Sequence, residues 1–415
     1  IEEHSRPDVH RVFPSSPEEA ALFRDTSVSS LESLKAITNP SSVVIVGASE
    51  TPGKASERRT RSLLEGGYQG KFYPVNPKRE TIFGHKAYPQ VSEIDTDEVD
   101  LAVLIVSRDH ILDSVRQCCE KKAKGIIVIT AGLGESDVDG KALEDEMLQI
   151  AADNGTRIVG PNCSGLFSAV GNVNLLGVPG VPAGKLSVIA QSGNVIDSLC
   201  YYAASRNAGF STIFSAGNAI GFSFHDYLEY LNYDPLTEVI MLYVEGIREG
   251  REFLEVASKV STNKPIIAIK VGNSEAGVRA AASHTASIAG AREVIEQAFR
   301  QAGIVQASNV DEMFQIAQAL GSCPLPASNR VAVLSEGGGD NAIAAENSSS
   351  CNLHVPLHSQ KAQEKISPPL LDRMPAQNPI DYGGVAEVDP IRIAKVSDAV
   401  ISTGEVDGLY ISGFY

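Results

Sequence analysis

The run Val43-Val44-Ile45-Val46 is unbroken and β-branched, and similar runs recur along the chain at 71–75, 101–106, 125–130 and 157–159. A strand apolar on both faces must be covered on both sides, which is the condition of a parallel sheet. The patterns between these runs, at 59–65, 111–121 and 140–154, are of helical length. Strand and helix in alternation predict a doubly wound α/β sheet, whose ligands bind outside the carboxyl ends of the strands.

The segments that leave those predicted strands are 47–49, 75–78, 107–108, 130–134 and 160–163, and together they line one crevice. Lys54, Arg58, Arg59 and Lys78 are the candidate anion contacts there. A dinucleotide fingerprint requires GxGxxG at the first turn, and the sequence GASETPG at 47–53 does not supply it. A nicotinamide dehydrogenase is therefore disfavoured.

A second block begins near Gly184, with a strand at 186–190, a tight turn at 191–194 and a helix at 195–207. Strand, small-residue turn and helix aim free N–H groups at an anion, which makes Gln191, Ser192 and Gly193 candidate phosphate contacts. A strand at 239–244 ends in Glu245-Gly246, a helix follows at 249–262, a strand at 265–270, and helices at 288–302 and 311–320. After a linker at 323–326, a third block repeats the theme: strand 330–334, turn 335–340 with Gly337, Gly338 and Gly339, and helix 341–347. A loop at 378–384 and a final strand at 409–415 complete it.

With 415 residues the chain holds two or three domains. We read an arm at 1–27, a first domain at 28–166, a second at 167–326 and an incomplete third at 327–415. The net charge of −16 argues against nucleic acid or an anionic membrane as partner. The six cysteines show no disulfide or metal spacing, no apolar run reaches membrane length and no signal peptide is evident, so a cytoplasmic setting without a bound metal is expected.

Between Lys270 and Gly290 the chain reads KVGNSEAGVRAAASHTASIAG, almost wholly small residues around one imidazole, His284. Two readings fit: a reactive or phosphate-carrying histidine, or a plain loop entering the helix at 288–302. Neutral imidazole is a good nucleophile toward phosphorus, and two helix N-termini after glycine-rich turns supply donors for a phosphoryl group. Glu245, at the end of a neighbouring strand, is the candidate to orient the imidazole; its alternative is a solvated strand-end carboxylate.

In order and spacing, the motifs VGASETPGK, YPVNPK, ITAGLGE, GPNCSGL, AQSGN, YVEGIRE, SEAGVRAAASHTAS, EGGGD and NPIDYGG resemble those of the NDP-forming acyl-CoA synthetases, relatives of succinyl-CoA synthetase. The resemblance covers nearly everything from Ser42 onward. It implies a Rossmann-like CoA-binding domain followed by two flavodoxin-like ligase domains. It also implies that carboxylic acid, CoA and NTP interconvert with acyl-CoA, NDP and phosphate through an acyl phosphate and a phosphohistidine at His284. Glu245 would orient that histidine, and the helices near Ser192-Gly193 and Gly338-Gly339 would hold the phosphate. Coenzyme A would lie along Gly47, Ser49, Lys54, Asn76, Pro77, Lys78, Thr130 and Asn162. ATP or ADP with Mg2+ would be handled by an ATP-grasp domain or β subunit, which is not found in these residues, within an oligomer.

Two departures stand out: Ala286 where the family usually has Gly, and Ser56-Glu57-Arg58-Arg59 where a Gly is usual. Phe222, Phe224 and Tyr382 suggest an acyl pocket. Two further readings stay open beside the ligase: CoA ligation coupled to a later lyase step on an activated acid such as a sulfonium acid, for example dimethylsulfoniopropionate, and a non-catalytic acyl-CoA-sensing module.

Overall fold

The computed structural model describes residues 30–272, 292–324, 326–371, 374–383 and 389–412. The arm at 1–27 and His284 with its loop lie outside the described residues. The chain divides into two units between Cys323 and Pro324.

Helix α1 (Ser30–Thr38) leads into β1 (Ser42–Val46), all five residues of which are buried. There follow α2 (Ala55–Glu65), β2 (Lys71–Val75), a small hairpin of β3 (Thr81–Ile82) and β4 (His85–Lys86), then β5 (Leu101–Leu104), α3 (Ile111–Glu120), β6 (Gly125–Val128), α4 (Val138–Asp153) and β7 (Arg157–Val159). The sheet order is β2-β1-β5-β6-β7, with every neighbouring pair parallel. Winding therefore reverses between β1 and β5, and at that point a doubly wound sheet opens a crevice at its carboxyl edge.

The next stretch adds β8 (Leu166–Ser168), β9 (Val173–Asn174), β10 (Ala183–Ala190), α5 (Gly193–Ser205), β11 (Phe210–Ser215), α6 (Phe224–Tyr233), β12 (Val239–Val244), α7 (Gly250–Ser261), β13 (Ile266–Lys270), α8 (Arg292–Gln301), β14 (Ile304–Gln306) and α9 (Val310–Ser322). Its sheet runs β14-β13-β12-β10-β11-β8-β9. The part from β14 to β11 is parallel, and β8 and β9 extend the edge antiparallel. The parallel part winds as the first sheet does, and its reversal lies between β10 and β12.

Successive side chains of these strands leave for opposite faces, as the pleat requires. Val43 and Ile45 of β1 join one core and Val44 and Val46 another. Likewise Leu242 and Ala268 pack on one side of the second sheet while Met241 and Ile267 pack on the other. The first of these cores is shared: Val43, Ile45 and Leu101 of the first sheet lie in one cluster with Phe214, Tyr227 and Leu242 of the second. Each fully buried side chain of this size stabilises by about 1.5–3 kcal/mol, so the shared core fixes the two sheets against each other.

In the second unit β15 (Val331–Ser335), α10 (Gly338–Ser350), α11 (Gln360–Ile366), β16 (Ile380–Asp381), α12 (Pro390–Ile401) and β17 (Gly408–Ser412) form a three-stranded parallel sheet with β15 at its centre. Its core gathers Leu334, Ile380, Tyr382, Val396 and Val400.

The structure moves several predicted boundaries. Three helices begin earlier than expected: α2 at Ala55 instead of 59, α5 at Gly193 instead of 195, and α10 at Gly338 instead of 341. Gly193, Gly338 and Gly339, expected in the preceding turns, are thus first-turn residues. Strands β5 and β6 stop at Leu104 and Val128, two residues short of the predicted ends. Helix α6 and strand β11 are absent from the predicted elements, although α6 carries apolar residues at helical spacing in Phe224, Tyr227, Leu228 and Leu231.

Candidate active site

The predicted CoA residues fall along the carboxyl edge of the first sheet. Gly47 follows β1 directly with φ +85°, and a methyl group there would lie 2.2 Å from the Ile105 carbonyl oxygen. Only glycine fits this close crossing at the winding reversal. Asn76 binds the neighbouring turns together: its Nδ2 donates to Ala48 O at 2.8 Å and its Oδ1 accepts from Lys78 N at 2.9 Å. Ser49 is buried and accepts from Thr51 N at 3.1 Å, which shapes the approach to α2. Lys54 precedes α2, whose N-terminus has no side-chain cap, and Lys54, Pro77 and Lys78 are exposed. Uncapped N–H groups and two lysines at one edge fit the phosphates of a nucleotide-like ligand.

Thr130 and Asn162 extend the edge. Thr130 Oγ1 donates to Val106 O at 2.8 Å, and Asn162 N donates to Thr130 O at 3.0 Å. Asn162 adopts φ +54°, a left-handed conformation that Asn tolerates better than most residues.

At the winding reversal of the second sheet, Gln191 follows β10 and Glu245 follows β12. The Glu245 and Gly246 N–H groups both donate to Gln191 Oε1, at 2.6 and 3.0 Å. Lys270, at the end of β13, donates from Nζ to Glu245 O at 3.0 Å and to Val271 O. Burial pulls the Lys270 ammonium below its usual pKa, against an opposing pull from the Glu245 carboxylate. Helix α5 then starts at Gly193 with no side-chain cap on Ser192. Its first-turn N–H groups and its dipole are thus available to an anion beside Glu245.

The sequence reading missed a polar network that joins the two sheets. Asn218, in the turn after β11, donates from Nδ2 to Glu135 Oε2 and to Glu144 Oε1, both at 2.7 Å. Glu135 accepts from Gly132 N at 2.6 Å and Glu144 from Gly134 N at 3.2 Å, so both carboxylates brace the loop after β6. Asn162 reaches the same Asn218 from the other side, Nδ2 to Oδ1 at 3.4 Å. Glu144 is 2 % exposed, and burial pushes its carboxyl above the usual range. The signal lay in ITAGLGE and in the motif around Asn162, but Asn218 sits in a stretch with no motif of its own.

In the second unit Gly337 caps α10, again with no side-chain cap, and Gly338 and Gly339 form its first turn. Ser335 Oγ donates to Gly337 O at 2.8 Å, and Asp381 Oδ1 accepts from Gly383 N at 2.8 Å. Three side chains suggested for an acyl pocket lie elsewhere: Phe222, Phe224 and Tyr382 are 1–4 % exposed within the cores. Phe222 carries the Arg157 guanidinium 4.8 Å above its ring, and Tyr382 donates to Ser412 O at 2.8 Å. Among the described residues no group of three or more His, Cys, Asp or Glu is placed to hold a metal ion, and no helix is long and apolar enough to cross a membrane.

Known proteins resemble this chain over most of its length. Residues 41–169 match the CoA binding domain family and residues 183–320 the succinyl-CoA ligase like flavodoxin domain family. The α subunit of ADP-forming acetate–CoA ligase II from Pyrococcus furiosus is 40% identical over 360 residues, which span 86% of this chain and 78% of that one. The ADP-forming acetate–CoA ligase of Methanocaldococcus jannaschii is 37% identical over 354 residues, or 85% of this chain and 49% of the relative. Among solved structures, acetyl-coenzyme A synthetase 1 of Ca. Korarchaeum cryptofilum, in complex with phosphate and ADP, superposes with a TM-score of 0.86 at 36% identity, covering 92% of this chain and 82% of that one. These relatives are named as ligases, and neither the lyase-coupled nor the acyl-CoA-sensing alternative finds support among them. The chain belongs to the NDP-forming acyl-CoA ligases of the succinyl-CoA synthetase superfamily, as a relative of the α subunits of ADP-forming acetate–CoA ligases.

Proposed function

We propose that this acid–thiol ligase works with two half-sites in its first unit. Coenzyme A lies along Gly47, Ser49, Lys54, Asn76, Pro77, Lys78, Thr130 and Asn162. Phosphate binds at Gln191, Ser192 and Gly193, beside Glu245. The observation that carries the reading is the bond from the Glu245 backbone N–H to Gln191 Oε1 at the winding reversal, which ties the Glu245 turn to the turn before an uncapped helix start.

His284, outside the described residues, is proposed to take the phosphoryl group, with Glu245 accepting its other ring N–H so that the attacking nitrogen keeps its lone pair. A carboxylate beside the phosphorylated ring also favours its imidazolium-like charge. Gly337, Gly338 and Gly339 open a second helix of the same kind and are proposed as further phosphate contacts. The domain limits at 28, 167 and 327 belong to the same proposal. The acid is a small carboxylate such as acetate, by likeness to the relatives named for it. Nucleotide, with Mg2+, is handled by an ATP-grasp subunit or domain, and the working enzyme is an oligomer of the two in the cytoplasm.

The test is reconstitution. The chain, mixed with an ATP-grasp partner from a related ligase, should release ADP beyond the single phosphorylation of the chain only when acid and CoA are both present. Sustained release of ADP that is indifferent to CoA, with no acyl-CoA formed from any small carboxylate, contradicts the reading.

A further inference from the structure

Arg59, a candidate anion contact of the crevice by sequence, has a buried side chain, at 8 % exposure. Nε donates to Ser164 O at 3.1 Å and Nη1 to Ala55 O at 3.1 Å. Ser164 lies in the short connection between β7 and β8, where the chain passes from one sheet to the other. It is held on its other side as well, since its N–H donates to Ser215 Oγ at 2.8 Å, at the end of β11. The Ser164 hydroxyl stands directly over the start of α5: a methyl group on Gly193 would come within 2.0 Å of Ser164 Oγ. Asp197, one turn into α5, has its carboxyl pushed up by burial, with the Arg59 and Arg58 charges opposing that shift. Gly177 closes over the guanidinium stem, its methyl position 3.5 Å from Arg59 Cγ.

One buried guanidinium, rooted in the helix that starts at the CoA edge, thus fixes the segment that shapes the phosphate turn of the other sheet. We propose that Arg59 is a positioning residue for the ligase reaction, holding the CoA half-site and the phosphate half-site in register through Ser164. The step it serves is attack of the CoA sulfur on the acyl carbon of the acyl phosphate. The C–S bond forms, the C–O bond to phosphorus breaks, phosphate leaves with the electron pair and takes up the thiol proton. That step joins ligands held by two different sheets, so its rate follows their separation; a displacement of about 1 Å costs on the order of 100-fold. Lysine carries the same charge but not the planar fork that spans two carbonyls. The proposal rests on the two half-sites described under Proposed function.

The experiment uses the chain assembled with its ATP-grasp partner, and compares Arg59→Met and Arg59→Lys with wild type. Three quantities are measured: kcat for acyl-CoA formation, KM for CoA, and labelling of the chain by γ-labelled ATP without CoA. Arg59→Met should lower kcat by about 100-fold, with KM for CoA within twofold and labelling unchanged. Arg59→Lys should recover part of the rate, and it carries the test alone if Arg59→Met does not melt cooperatively. A kcat within twofold of wild type in Arg59→Lys and Arg59→Met overturns the proposal. So does a loss shared equally by labelling and acyl-CoA formation with a lowered Tm, which is the mark of a merely structural role. Failure of the underlying reading looks different: wild type itself then takes no label from ATP, and kcat alone still decides the part of Arg59.

Discussion

Gln191 Oε1 accepts the backbone N–H groups of Glu245 at 2.6 Å and of Gly246 at 3.0 Å, so one side-chain amide ties the turn after β10 to the end of β12. Both donors are part-buried, and leaving such a group unpaired costs about 1–3 kcal/mol. Gln191→Ala should therefore lower stability by about that amount and release the Glu245 loop, with a drop in kcat. Gln191→Glu keeps an acceptor for both N–H groups but adds a negative charge at the phosphate turn. It should leave the denaturant midpoint near wild type and raise KM for phosphate in the reverse reaction. Equal phosphate KM in wild type and Gln191→Glu would remove Gln191 from the phosphate site.

Gly47 makes the corresponding crossing in the first sheet. Alanine at this position meets Ile105 O at 2.2 Å in a conformation of φ +85°. The backbone term alone is about 1–3 kcal/mol, and relief of the clash must part β1 from β5 where CoA is proposed to lie. Titration calorimetry of Gly47→Ala should show CoA affinity lowered at least tenfold, while phosphate labelling from ATP persists. Undiminished CoA affinity would place the ligand elsewhere.

Glu144 gives a pH-dependent outcome with a definite sign. Burial raises its carboxyl pKa in the folded chain, so its contribution to stability is fully present below the unfolded value and is lost as pH rises through the folded one. At neutral pH the buried carboxylate is therefore a cost. The Gly134 N–H and Asn218 Nδ2 both donate to the same oxygen, Oε1, an acceptor that glutamine retains. Glu144→Gln should raise Tm at pH 7, and the advantage should shrink to nothing as the pH is lowered through the carboxylate range. Thermal melts at a series of pH values check this; a variant that is less stable than wild type at pH 7 would show that the charge itself holds the loop.

Much of this was legible in the residues. The β-branched runs at 43–46 and 239–244 announce two-faced parallel strands because burial on both sides leaves no room for polar alternation, and β1 and β12 lie where those runs do. Gln191 and Glu245 could be picked as strand-end residues, and the sheet order brings them together at the winding reversal. What stayed hidden depends on non-local partners. Arg59 looks like any other arginine of a charged helix until the fold buries it against Ser164, more than a hundred residues away. Asn218 has no local pattern, and its meaning comes from two distant carboxylates, Glu135 in the loop after β6 and Glu144 on α4. Phe222 and Phe224 illustrate the opposite error, since aromatic residues near a loop are more often core than pocket.

The central claim is that His284 carries the phosphoryl group under the control of Glu245, and direct labelling tests it. The chain, with its ATP-grasp partner, is treated with acetyl-CoA and labelled inorganic phosphate, and acid-labile, base-stable label is sought by peptide mapping. The account predicts label on the peptide that contains His284, none in His284→Ala, and strongly reduced label in Glu245→Gln. Label that persists in His284→Ala, or that lies on another peptide, would contradict it.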